Sequence, residues 1–357
     1  MNRPDSPPFL HRPDVRGGLN PEQGRIRNLQ TLLDAVRQHP GSTRPELAEL
    51  VALTVQSTHG LTEELLGQGL LLRGDKRRGG RGQPAVELHL NPDGAFSIGL
   101  HLDRDHVTGI LSDLTGRVRA REHHELRYPQ PQATFDLIAQ MVTRLRAAVS
   151  QQRRIWGIGA AFPGPLDLRT GVISQPPNFP GWDGVNARRE LEERCGLPVT
   201  VQHDGAAAAL GERWYGAGQA YQNFFYVFSG IGLGGGVVVG GRVFAGAHGN
   251  INFGHVPVVP GGRPCPCGSQ GCVEQYASIG GLHDLLAQDY GLDAADPERL
   301  AHLHAAGHPG VRRWIEQAAD HLTPALLAAI NLLGPEAVVF GGRLPPALQE
   351  DLLAQLR

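Results

Sequence analysis

From Gly24 onward, apolar residues fall at helical spacing: Ile26, Leu29, Leu32, Leu33 and Val36 share one face before "HPG" (39–41) ends the run. The next stretch, "STRPELAELVAL", predicts a short second helix. Thr43 and Glu46 have capping-box spacing, Pro45 sits in the first turn where its missing N–H costs little, and Leu47 and Leu50 supply the apolar face. A break at Ala52-Leu53 leads into "TVQSTHGLTEELLGQGLL", with Thr54 as N-cap and Val55, Leu61, Leu65 and Leu66 turned inward. "LLLRGDKRRGGRGQPAVELHLNP" then reads as strand, glycine-rich turn, strand. Short helices about a tight turn, a third helix and a hairpin predict a winged helix-turn-helix over 24–90, preceded by a loose tail over 1–23.

Beyond the junction "HLNPDGAF" (89–96), strand-like and helical runs alternate. "FSIGLHL", "VTGILSDL", "IWGIGAAF", "PVTVQHD", "NFFYVFSG" and "GGGVVVGG" predict strands, with helices near 132–149, 186–194 and 205–213. The last third, from about Ser278 to Leu333, is mostly helical and precedes a final strand, "EAVVFGG" (336–342). This order predicts an α/β fold with a parallel or mixed sheet over 95–357.

Composition (357 residues, 41% hydrophobic, 19% charged) is that of a globular chain long enough for two or three domains. The N-terminus lacks the apolar run of a signal peptide, and no stretch reaches the ~18 apolar residues of a membrane span. The longest apolar run, "ALLAAINLLG" (325–334), reads as a buried helix. The expected compartment is the cytoplasm, with no membrane partner. The net charge of −2 conceals a local excess: Arg73, Lys76, Arg77, Arg78 and Arg81 crowd together with only Asp75 opposing them, and Lys76 is the only lysine in the chain. A basic wing of this kind suits phosphate contacts and arginine insertion into the minor groove. Gln56, Ser57, Thr58 and His59 are expected on the exposed face of the recognition helix, with Arg44 as a further DNA contact. A structural helical domain with a solvated charged turn is the alternative.

"CPCGSQGCVEQYAS" (265–278) holds three of the four cysteines, ten residues after Gly254-His255. Cys265, Cys267, Cys272 and His255 form a Cys₃His set, and thiolates with an imidazole favour tetrahedral zinc. The spaced pair of a redox site is absent, and the lack of an export signal argues against a disulfide scaffold. Free structural cysteines are the remaining reading; Cys195, alone, reads as a small buried hydrophobe.

"GHVPVVPGGRPCPCGSQGCVE" closely resembles the signature of the ROK family (repressors, open reading frames and kinases), Gly-His followed by C-x-C-G-x-x-G-C-x-E. "PPNFPGWDGV" (176–185), "VQHDGAAAALGE" (201–212), "SGIGLGGGVVVGGRV" (229–243) and "LGPEAVVFGGRL" (333–344) extend the resemblance. It implies a two-lobed actin-like, ribonuclease H-like sugar-kinase fold, with zinc at 255–274 and a sugar in the cleft between lobes. Asn178 matches a sugar-contacting asparagine, Asp204 the general base of the kinases, and Glu274 a sugar-accepting glutamate. His255 matches a residue that binds zinc through one ring nitrogen and faces the sugar with the other. A purely structural zinc knot is the alternative use of the cluster. With the winged helix in front, the chain is similar to the sugar-responsive regulators of the family, such as xylose, glucose or N-acetylglucosamine repressors.

Several positions depart from the pattern. His203 stands where the family has Asn, Ala206 replaces a second Asn, and Asn252 replaces a glutamate, so the sugar contacts at His203 and Asn252 are altered. The kinases carry Asp-x-Gly-Gly-Thr after the first strand. Here His101 replaces the aspartate and Asp103-Arg104-Asp105 the Gly-Gly-Thr, which sets carboxylates against phosphate oxygens and removes the glycines that allow close approach. Asp204 is then a vestigial base and the chain is not an enzyme. Family members continue past the last "GG" strand, whereas this sequence stops at "PPALQEDLLAQLR", so it is either short or truncated. The expectation is a repressor of carbohydrate-metabolism genes, a homodimer or homotetramer on an inverted-repeat operator in double-stranded DNA. The alternatives are a sugar kinase with a fused DNA-binding head and a ligand-independent DNA-binding dimer.

Overall fold

The structure, a computed structural model, describes residues 20–77, 85–177, 179–244, 246, 251–293 and 297–356. Arg78, Arg81, Asn178 and residues 1–19 of the expected tail lie outside the described residues.

The chain opens with α1 (Pro21–Gln38), α2 (Arg44–Leu50) and α3 (Val55–Gly67), then an antiparallel pair, β1 (Leu71–Arg77) and β2 (Ala85–Leu90). Helix α1 starts at Pro21, not Gly24, because Asn20 caps it: the Gln23 N–H donates to Asn20 Oδ1 at 2.8 Å and the Gln23 side chain returns to the Asn20 N–H at 3.1 Å. The Thr43 N–H donates to Glu46 Oε2 at 2.7 Å, and Thr54 Oγ1 accepts from the Ser57 N–H at 3.1 Å, so α2 and α3 start where their caps place them. Leu29, Leu32, Val36, Leu47, Leu65, Leu71 and Leu88 close a small core, each worth roughly 1.5–3 kcal/mol on burial. Leu50 and Val55, expected inside, are about half exposed: they are the last residue of α2 and the first of α3, where the chain turns away from that core.

The body has two sheets. The first lobe holds β3 (Phe96–Leu102), β4 (His106–Asp113), β5 (Val118–Glu125), α4 (Pro131–Ala147), β6 (Ile155–Phe162), α5 (Ala187–Cys195) and β7 (Val199–His203). Its sheet runs β5-β4-β3-β6-β7, with β3, β6 and β7 parallel. Strand β5 was not expected: "VRAREHHE" has no fully buried residue and pairs only along one edge, so its apolar signal is weak. Trp182, fully buried, stacks on Phe179 at 4.7 Å and donates Nε1–H to Pro129 O at 2.7 Å, fixing the segment that leads to the cleft.

Helix α6 (Asp204–Tyr215) crosses to the second lobe, whose sheet is β10-β9-β8-β11. This lobe contains β8 (Phe224–Ser229), β9 (Leu233–Val239), β10 (Arg242–Phe244), α7 (Glu274–Ala277), α8 (Ile279–Tyr290), α9 (Pro297–Ala305), α10 (Pro309–Leu333), β11 (Ala337–Gly342) and α11 (Pro346–Gln355). Strand β11 runs parallel to β8 and β9 antiparallel to it. Helix α6 lies backbone-close on β9: a Cβ on Gly205 would stand 2.5 Å from Gly235 O, and one on Gly236 would stand 2.6 Å from the Ala209 Cβ and against the Gly205 carbonyl. Gly236→Ala is therefore expected to cost about 1–3 kcal/mol, read as a lower midpoint in urea unfolding, because a carbonyl cannot move aside as a flexible side chain can. Among the described residues no helix is long and apolar enough to cross a membrane.

Candidate functional site

The two lobes face each other across a narrow cleft, open to solvent. Strand ends and helix starts converge there, as at the switch points of α/β sheets. Asp204 is the first residue of α6, and its Oδ1 accepts the Gly205 N–H at 2.6 Å. His203, the last residue of β7, is buried with Nδ1 3.1 Å from that oxygen, yet the geometry is not a hydrogen bond and this nitrogen has no partner. Glu274, the first residue of α7, is buried and accepts the Leu233 N–H at 3.0 Å, which joins it to the start of β9. Asn252, exposed, and His255 reach the cleft from the one-turn helix Phe253–His255. Sequence reasoning missed Gly164 and Phe228 as cleft residues; the signal for Gly164 was the Pro-Gly-Pro run immediately after β6.

Beside the cleft, four ligand atoms from His255, Cys265, Cys267 and Cys272 lie within 4.8 Å of one another, an arrangement that could hold a metal ion. The Cys265 Sγ–His255 Nδ1 distance is 3.5 Å and the Cys267 Sγ–Cys272 Sγ distance 3.7 Å. Metal–sulfur and metal–nitrogen bonds of about 2.3 and 2.1 Å at tetrahedral angles give edges of about 3.6–3.8 Å, close to these two distances. Gly268 and Gly271 turn the loop with positive φ of 90° and 71°, and a Cβ at Gly271 would meet the Val259 carbonyl. Burial pushes the Cys265 thiol up to about 12, so this sulfur becomes a thiolate readily only beside a cation.

The turn after β3 differs from a phosphate cradle. Asp103 is buried, with Oδ1 accepting the Arg104 N–H at 2.7 Å. Asp105 pairs with Arg343, which follows β11 in the opposite lobe, and its Oδ1 lies 2.6 Å from His106 Nδ1. His106 Nε2 is in turn 3.2 Å from His101 Nδ1. Burial would raise Asp105, but the His106 hydrogen bond and the Arg343 charge outweigh it and hold the carboxyl below its usual range. A depressed carboxylate stabilises the fold above its unfolded value and stops doing so as pH falls through its folded value. The inter-lobe pair should accordingly loosen only below about pH 4, and Arg343→Ala should flatten the acid limb of a thermal-stability profile there. Burial lowers His101 and keeps it neutral.

On the head, Gln56, Ser57 and His59 are exposed along the first turns of α3, as expected. Thr58 is not: it is fully buried, because one residue in this turn must face the head's core. Arg44 donates Nε–H to Thr62 Oγ1 at 2.9 Å and pairs with Glu63, while Arg77 reaches Glu87 at 2.7 Å and Glu46 at 3.0 Å. Both guanidinium groups therefore brace the head internally; Lys76 is exposed.

The chain is 26% identical to the xylose repressor of Bacillus spizizenii over 87% of its own length and 81% of that protein's. It is 29% identical to the N-acetylglucosamine repressor of Escherichia coli, over 87% and 79%. Among solved structures, a ROK family transcriptional regulator described as a homologue of the E. coli MLC protein superposes with a TM-score of 0.72 at 26% identity, covering 93% of this chain and 89% of that one. The ROK hexokinase of Thermus thermophilus superposes at 0.58 and 32% identity but covers only 73% of this chain and 88% of its own. The regulator's likeness thus extends over more of the chain than the kinase's. The ROK family model matches residues 97–357, so the body that carries the cleft and the Cys₃His cluster places this chain in the ROK family.

Proposed function

We propose that this protein is a sugar-responsive, DNA-binding repressor of carbohydrate-metabolism genes, acting in the cytoplasm as a homodimer or homotetramer. The observation that carries the reading is the presence, in one chain, of a winged helix-turn-helix and a kinase-like cleft whose phosphate turn is occupied by Asp103, Arg104 and Asp105 and tied off by Arg343. Repressors of xylose and N-acetylglucosamine among its relatives support it.

In this reading Asp204 and Glu274 accept hydrogen bonds from sugar hydroxyls, and the unpartnered His203 Nδ1 and the Asn252 side chain complete the polar wall. Asn178, outside the described residues, is proposed as a further contact. Zinc is the proposed occupant of the Cys₃His cluster, held by His255, Cys265, Cys267 and Cys272; bound there, it supplies a rigid anchor and no chemistry on the sugar. Held through Nδ1, the His255 ring has its tautomer fixed and keeps its other nitrogen for the ligand.

A phosphoryl-transfer step is disfavoured because carboxylates meet the phosphate and the glycines of close approach are missing. A coupled ADP-release assay on common hexoses and pentoses should stay at background. Turnover abolished by Asp204→Asn would instead establish a kinase with a DNA-binding head.

Fluorescence-anisotropy titration of DNA from the protein's own upstream region, with and without xylose, glucose and N-acetylglucosamine, tests the main reading. Specific binding altered by one sugar supports it; specific binding indifferent to all of them favours the ligand-independent dimer. In the same assay Gln56→Ala or His59→Ala should each weaken specific binding by about 5- to 150-fold, the value of one base contact. Lys76→Ala should weaken binding to any sequence and lower the salt slope by about one.

A further inference from the structure

Helix α6 connects two places that are far apart in the molecule. Its first residue, Asp204, lines the cleft, and its last two turns end in Trp214 and Tyr215 against the DNA-binding head. Arg37, in the last turn of α1, lays its guanidinium over the Trp214 ring at 4.5 Å and donates Nη1–H to the Trp214 carbonyl at 2.8 Å. The same guanidinium pairs with Asp34 at 2.8 Å, which aims it. Tyr215 packs on Gly116, in the turn between β4 and β5, so this contact sits on the seam of the two lobes.

The head has a second support. Arg154, just before β6, donates Nη1–H to Gly94 O at 2.7 Å, and the Trp156 side chain packs on the head's core. One support belongs to the first lobe's sheet. The other belongs to α6, which is packed backbone-to-backbone on β9 of the second lobe. The start of β9 is itself tied to the cleft through the Leu233 N–H and Glu274.

We propose that α6 carries the state of the cleft to the DNA-binding head, with Arg37 stacked on Trp214 as the joint. The inference rests on the effector reading of the cleft. A rod of 12 residues spans about 18 Å and, fixed by glycine and alanine contacts to β9, moves with that strand rather than bending. Lobe rotation about a bound sugar changes the separation of the two supports, and the head, resting on both, must reorient.

The test uses the full chain. Wild type, Arg37→Ala and Trp214→Ala are titrated with DNA from the upstream region in the presence and absence of xylose or N-acetylglucosamine, and sugar binding is measured separately by calorimetry. Wild type should show a sugar-dependent change in DNA affinity of about 5- to 150-fold. Both variants should bind sugar and sugar-free DNA within about threefold of wild type while that change falls below about twofold. Variants that respond as wild type does overturn the joint alone. A wild type whose DNA affinity ignores both sugars overturns the effector reading and the coupling together. Should a variant fail to fold, hydrogen exchange on wild type decides: sugar should alter exchange in the last turns of α1 and α6, and unchanged exchange there with sugar bound overturns the proposal.

Discussion

If the Cys₃His cluster holds the proposed zinc, Cys272→Ala should abolish metal uptake and lower the melting temperature by about 10 °C. Cys272 is fully buried, its sulfur 3.7 Å from that of Cys267, so the substitution removes one of the four donors from the inner side of the cluster. Structural zinc contributes about 10–16 kcal/mol in small zinc peptides, which have no other core. Here the second lobe has its own core around Phe225, Val273, Leu282 and Trp314, so only the ordering of the loop is at stake. A loss of about 3–5 kcal/mol, at roughly 2–4 °C per kcal/mol for a body of this size, gives the stated shift. Chelation of wild type should reproduce it. The sign with pH follows from Cys265: metal uptake must expel a proton from a thiol raised to about 12, so affinity for the ion rises with pH and acid releases it. Metal content by emission spectroscopy alongside melting curves at two pH values checks both; a metal-free wild type of full stability would falsify the assignment.

Glu274→Gln should weaken sugar binding by about 10- to 150-fold and leave sugar-free DNA binding unchanged. The substitution keeps an oxygen to accept the Leu233 N–H, so the link to β9 survives while the charge is lost. Hydrogen bonds to a carboxylate are worth about 1.5–3 kcal/mol, which sets the range. The variant should hold its DNA at sugar concentrations to which wild type responds, as calorimetry and anisotropy on the same samples will show. Equal loss of DNA binding would mean that Glu274 supports the fold and not the ligand.

The cysteine loop was legible because its chemistry is local: three sulfurs and an imidazole within 18 residues leave few other uses. The caps at Thr43 and Thr54 and the alternation of strands and helices were legible for the same reason, each being set by residues a few positions apart. The unforeseen features have no local signal. Strand β5 half-buries Ala120, Glu122 and His124 while Val118 is exposed, so its pattern lacks an apolar face and is recognisable only from its partner β4. The burial of Thr58 depends on the angle at which α3 meets the head's core. Arg37 meets Trp214 across 177 positions, and Arg343 meets Asp105 across 238, pairings that only the folded chain brings about.

The Arg343–Asp105 pair also bears on protein engineering. Restoring glycines at positions 103 and 104 would reopen the turn, yet Arg343 would still cross from the other lobe, and His106 and His101 would still line up behind Asp105. A chain rebuilt to accept a nucleotide must exchange these residues on both lobes together. Losing Asp105 alone leaves Arg343 with the longer pair to Glu125 at 3.4 Å, and losing Arg343 alone leaves Asp105 with His106, so either change by itself weakens the tie between the lobes.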